Sequence, residues 1–153
     1  MTVNLSATLR YGDIELGQKL PELLVELTAT LILSTAIASR DYQDVHHDRD
    51  MAQKRGSKDI FMNILSSNGF VGRFVTDWAG PEAILEKVAI RLGAPNYPYD
   101  QMRLTGKVLD KREEDGKGIV EVSVRGANSL GDHVKGTVRL RLPLDTAAER
   151  AQA

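Results

Sequence analysis

A chain of 153 residues is the length of one compact domain, and its charges nearly cancel at a net −1. That balance excludes the broad basic face of a nucleic-acid binder. The complete lack of cysteine excludes a disulfide framework, a thiolate nucleophile and thiolate metal ligands, and it fits a reducing, cytoplasmic setting. No apolar stretch approaches the ~20 residues of a membrane span, and Met1 to Leu20 is too polar for a signal-peptide core.

In chain order, residues 1–20 carry Gly12 and Gly17 and end against Pro21, an irregular lead-in. Leu23, Val25 and Leu27 alternate with Leu24, Glu26 and Thr28, a short strand. A helix is predicted over Thr30 to Ser39, and after a polar run a short helix capped by Asp48, with Asp50 in its first turn, runs to Arg55 and stops at Gly56. The main helix is predicted over Ile60 to Trp78. Phe61, Ile64, Leu65, Val71, Phe74, Val75 and Trp78 supply its apolar stripe, Asp59 its N-cap and Gly80-Pro81 its stop. The period then changes to two. Strands are marked by Ile84 to Leu92, Met102 to Val108, Val120 to Val124 and Val134 to Leu142, with turns at Asp115-Gly116-Lys117-Gly118 and Gly131-Asp132. Thr146 to Ala153 is rich in alanine and charge and reads as a frayed end. A long helix followed by an antiparallel meander must bury its stripe on the dry sheet face. The fold class is therefore α+β, a curved antiparallel sheet wrapped around a long central helix: a single hotdog domain over 1–153.

The chemistry concentrates in Arg40 to Asp50, where Asp41, Asp44, His46, His47, Asp48 and Asp50 crowd between two apolar segments. With Tyr42 and Val45 tucked into the core as anchors, a turn there aims the carboxylate of Asp41 and the imidazole of His46 at one point. Such a pair moves protons near neutral pH. Of the others, His47 is expected to face solvent or brace the loop, Asp44 to serve a turn, Asp48 to cap a helix and Asp77 to be structural. Adjacent histidines diverge on most backbones and no His-x-x-x-His is present, so no metal site is expected. Phosphate-cradling glycine loops and a Gly-x-Ser-x-Gly elbow are absent. Tyr97 and Tyr99, in Asn96-Tyr97-Pro98-Tyr99, are placed to anchor a loop or to line a pocket mouth.

Strand, helix, Asp-x-x-x-x-His loop, short helix, long helix and meander together resemble the MaoC-like, or (R)-specific enoyl-CoA hydratase, family of hotdog proteins. That family's loop reads Gly-Asp-x-Asn-Pro-(aliphatic)-His, followed by an Asp and an Ala. Here Asp41, Val45, His46, Asp48 and Ala52 fall in register, while Arg40, Gln43 and Asp44 replace the Gly, Asn and Pro. Within the family, the strings Arg40 to Asp50, Gly56 to Phe61, Val75 to Pro81 and Leu130 to Val134 are similar to small subunits of actinobacterial steroid side-chain hydratases.

The resemblance implies that Asp41 and His46 jointly activate a water molecule that adds to the 2,3 double bond of an acyl-CoA, giving an (R)-3-hydroxy product. It places the oxyanion donor on a backbone N–H at the start of the main helix, at Asn63-Ile64, where the family has His-Gly. No cofactor is required, because CoA is part of the substrate. It also implies a bulky, steroid-type acyl chain and, as partner, a second hotdog subunit lacking the Asp/His pair. The sheet edge and helix flank that one hotdog leaves exposed call for a dimer in any case. Two alternatives stay open: a hotdog acyl-CoA thioesterase, and a non-catalytic subunit that completes a partner's acyl-CoA pocket.

Overall fold

The computed structural model describes residues 7–144, and the predicted frayed end lies outside them. β1 (Leu23–Leu27) leads into α1 (Ala29–Ala38), whose N-cap Thr28 accepts a hydrogen bond from the Leu31 N–H. A single turn at Asp44–His46 and the short α2 (Arg49–Lys54) precede α3 (Ile64–Ala79). Four strands follow: β2 (Ile84–Leu92), β3 (Asp100–Glu114), β4 (Lys117–Asn128) and β5 (Gly131–Leu142). They form one sheet with β1, all neighbours antiparallel, in the order β1-β3-β4-β5-β2. This is the expected α+β hotdog layout. Among the described residues no helix is long and apolar enough to cross a membrane.

The core joins α3 to the sheet. Val71, Phe74, Val75 and Ala79 on one face of α3 are buried with Met102, Leu104 and Val108 of β3, Val120, Val122 and Val124 of β4, and Val134, Val138 and Leu140 of β5. The strand residues recur every second position, as a sheet with one dry face demands. The β3–β4 hairpin closes through Asp115 and Gly116, both at positive φ (51° and 69°), the conformation that matches strand twist in a two-residue turn. The lead-in contributes more than its composition shows. Ile14 and Leu20 are buried in the core, and Lys111 ties this segment down by donating to the carbonyls of Tyr11 (3.1 Å) and Ile14 (2.6 Å).

One boundary differs from the sequence reading in a way that shapes the site. The main helix starts at Ile64 rather than Ile60, and its N-cap is Asn63, not Asp59. Residues 60–62 are held out of the helix by tertiary bonds: Phe61 N–H donates to Val45 O (3.2 Å) and Met62 N–H to Asn96 O (3.0 Å). Asp59 instead bonds the Ile60 N–H (2.8 Å) and pairs with Arg49 (3.3 Å).

Candidate active site

The loop carrying Asp41 is set by how α1 ends. Arg40 takes up the left-handed conformation (φ 57°), its N–H reaches Ile37 O (3.0 Å), and the Asp41 N–H reaches Ala36 O (3.0 Å). Those two bonds are the Schellman closure usually built on glycine, here built on Arg40. Asp44 stands at the first position of the following turn, where proline is also favoured. Arg55 donates to its carboxylate at 2.8 Å. Asp48 caps α2 by accepting from Met51 N–H (3.0 Å). His47 is exposed and bonds the Gln43 carbonyl (3.0 Å), and Asp77 pairs with Arg73 (3.1 Å). Of the two expected anchors only Val45 packs on the core; Tyr42 is 65% exposed. Main-chain closure of α1 and the cap of α2 hold the loop, so a second anchor is not needed.

The structure brings Asp41 and His46 together. Asp41 Oδ2 lies 3.5 Å from His46 Nε2. His46 is buried, with Phe61 edge-on at 5.0 Å between ring centres, and its Nδ1 lies 2.7 Å from the Phe61 carbonyl oxygen. A carbonyl only accepts, so Nδ1 carries a hydrogen, and in the neutral form of the ring Nε2 presents a lone pair toward Asp41. Two acceptors facing each other at that distance are reconciled by a shared proton or a shared water. The bend of residues 60–62 away from helix is what supplies the Phe61 carbonyl.

The Asn63 side chain completes the cluster. Its Nδ2 donates to Asp41 Oδ2 (3.0 Å) and Ser39 Oγ (2.9 Å), and its Oδ1 accepts from the Ser66 N–H (2.9 Å) and the Ser66 hydroxyl. The next residue, Ile64, is the first of α3, so its backbone N–H has no partner within the helix and sits at the positive end of the helix dipole. Both residues line a cavity of about 270 Å³ with His46, Phe61, Gly93 and His133. Tyr97 and Tyr99 do not line it. The Tyr97 hydroxyl bonds Ser57 Oγ (3.2 Å) with Lys58 over its ring, and Tyr99 is 87% exposed. A second depression of about 360 Å³ lies between α1 and α3, lined by Thr35, Ala38, Ser39, Leu65, Ser66 and Phe70 among others. Ser39 and Ser66 both bond Asn63, so the two hollows flank the Asp41–Asn63 cluster.

His133 is a cavity residue that the sequence reading missed. Alternation along β5 assigns it to the wet face beside Lys135, yet it is 2% exposed. The β4–β5 register jumps there: Val134 pairs with Gly126 and Asp132 with Ala127, leaving His133 as the extra residue of a bulge. The bulge turns the ring inward, where Nδ1 meets Ala94 O (2.7 Å) and Nε2 meets Ser67 Oγ (2.8 Å). Burial pushes its pKa down, against a smaller upward effect of the Ala94 bond.

No protein-family model matches the chain. The chain is 51% identical over 126 residues to the 3-oxo-4,17-pregnadiene-20-carboxyl-CoA hydratase beta subunit of Mycobacterium tuberculosis, covering 82% of this chain and 95% of that one. The chain belongs to the MaoC-like hydratase family. The crystal structure of the ChsH1–ChsH2 complex from M. tuberculosis contains a chain 51% identical to it, with a TM-score of 0.78 over 84% of this chain and 98% of that one. The unliganded (R)-hydratase PhaJ1 of Pseudomonas aeruginosa has the same fold (TM-score 0.78, 24% identity, 90% of this chain and 88% of that one).

Proposed function

We propose that this chain is the catalytic subunit of an enoyl-CoA hydratase acting on a 2-enoyl-CoA with a bulky, steroid-type acyl group. The observation that carries the reading is the Asp41–His46 pair, facing across 3.5 Å beside a cavity that also holds the start of α3. His46 Nε2 takes a proton from water held by Asp41. The water oxygen bonds to C3, and the electron pair of the double bond moves through C2 onto the thioester oxygen. A proton delivered to C2 by the same two groups completes the (R)-3-hydroxyacyl-CoA, with no cofactor. The Ile64 N–H stabilises the charge on the thioester oxygen, being fixed in place before that charge develops. The hydroxyl configuration rests on the loop resemblance, and the steroid-type chain on the relative's substrate.

The thioesterase alternative finds no support in the geometry. The buried first turn of α3 carries Asn63, Ser66 and Ser67, and Asp77 near the helix end is engaged with Arg73. The partner in this proposal is a second hotdog subunit, and the M. tuberculosis structure is likewise a complex, of ChsH1 with ChsH2. Two features support it: among the described residues β2 ends the sheet with a free edge and exposed Ile84 and Leu85, and the cavity of about 270 Å³ is at the small end for a bulky acyl-CoA.

The test is turnover of 2-enoyl-CoAs by the assembled complex, followed as loss of the enoyl-thioester absorbance. Asp41→Asn and His46→Ala should each lower kcat by about 10²-fold or more. Unchanged turnover in both would reduce the chain to a pocket-completing subunit. Free CoA released from a saturated thioester would make it a thioesterase.

A further inference from the structure

Asn63 is 1% exposed, and its amide uses every hydrogen-bonding position it has. The backbone N–H of Ser66 can only donate, so the atom it meets at 2.9 Å is the amide oxygen, and the NH2 group is turned toward Ser39 and Asp41. Ser39 Oγ spends its hydrogen on the carbonyls of Thr35 (2.8 Å) and Ala36 (3.0 Å), so it accepts from Asn63. The second NH2 hydrogen points at Asp41 Oδ2, the same oxygen that faces His46 Nε2. One side chain thus caps α3, bonds the end of α1 and fixes one carboxylate oxygen.

We propose that Asn63 is a positioning residue for the hydration reaction, acting through Asp41: its amide holds Oδ2 in line with His46. This rests on the catalytic reading of Asp41 and His46 given above. Among the described residues, His46 is the charged or titratable side chain in contact with Asp41. α1 and α3 face it with the neutral Ser39 and Asn63, and the loop adds the Gln43 N–H (3.4 Å). Withdrawing the amide donor therefore leaves Asp41 Oδ2 facing His46 alone. A backbone N–H at the start of a helix tolerates many side chains before it, but this side-chain role does not.

Asn63→Asp separates positioning from capping, because aspartate caps a helix as well as asparagine does yet has no NH2 to offer Asp41. Asn63→Ser is the second variant: it keeps a capping oxygen, adds no charge, and is too short to reach Asp41. Both are made in the assembled complex beside Asp41→Asn, and kcat, KM and the pH profile of kcat/KM are recorded with the melting temperature. The expected result is a melt within a few degrees of wild type for at least one variant. In that variant kcat falls tenfold or more with little change in KM, and for Asn63→Asp the acid limb of the profile moves to higher pH by about one unit or more. Wild-type kcat and an unmoved acid limb in a folded variant, with Asp41→Asn inactive, would overturn the positioning role and leave the hydratase reading intact. Full activity of Asp41→Asn would overturn both. Loss of folding in both variants would show that Asn63 acts as a structural cap, which also overturns the proposal.

Discussion

Consider His133→Gln. The glutamine amide can still donate to Ala94 O and accept from Ser67, but it cannot titrate. In the wild-type protein the buried ring has its pKa lowered from the ordinary 6.5, chiefly by loss of solvation. Above pH 6.5 the ring is neutral in both folded and unfolded chains and adds no pH dependence. As the pH falls through 6.5, the unfolded chain takes up a proton that the folded chain refuses, so stability declines. The slope reaches at most about 1.4 kcal/mol per pH unit for one proton, and it flattens once the folded ring also titrates. At pH 8 the variant should be less stable by about 1–3 kcal/mol, from imperfect hydrogen bonds in a buried site. That gap should narrow on acidification, because only the wild type loses the His133 contribution. Urea unfolding at pH 8, 7, 6 and 5.5, followed by fluorescence of the single tryptophan, Trp78, gives both curves. If the two stay parallel from pH 7 to 5.5, His133 is not held neutral by burial and the account of the bulge is wrong.

Phe74→Ala empties the contact between α3 and the sheet at a residue 1% exposed, and should cost about 3–5 kcal/mol in urea unfolding. Gly136→Ala places a methyl carbon 2.0 Å from the Ala89 carbonyl oxygen and 2.8 Å from Ile90 Cα. Overpacking of that kind costs about 1–3 kcal/mol or more, and faster amide exchange across β2 than across β3 should report where the sheet opens. Arg40→Gly removes a left-handed strain of about 1–2 kcal/mol and adds about 0.5–1 kcal/mol of unfolded-chain entropy. The net gain should be under about 1.5 kcal/mol, visible as a small rise in melting temperature with turnover unchanged.

Much of the site was legible before any coordinates, because it is local. Asp41 and His46 belong to one short loop between two helices, so a motif five residues apart carries both groups, and the Asp48 cap follows from the same stretch. Asn63 was legible only as a backbone position. Its side-chain role needs Ser39, Asp41 and Ser66, which no single sequence window contains. The sequence leaves Tyr97 and Tyr99 open between anchoring a loop and lining a pocket mouth, and the Tyr97 bond to Ser57 favours the anchor for that residue. Aromatic residues beside proline in a loop are natural pocket candidates, and nothing in the sequence says that one hydroxyl is bound to Ser57 and the other ring is in solvent.

The sequence by itself determined the order of elements, the dry faces of β3, β4 and β5, and the acid–imidazole loop, since each follows from periodicity or from neighbours along the chain; of the expected α3 stripe Val71, Phe74 and Val75 are buried, whereas Phe61 precedes the helix and Ile64 and Leu65 are exposed. Tertiary structure decided where α3 begins, because the N–H groups of Phe61 and Met62 find carbonyl partners in Val45 and Asn96 rather than in a helical turn. It also decided that His133 faces the cavity, because a one-residue register jump against β4 reverses the side that alternation assigns. Both are settled by hydrogen bonds between distant segments, and a pattern read along one strand of sequence holds no information about the partner's register.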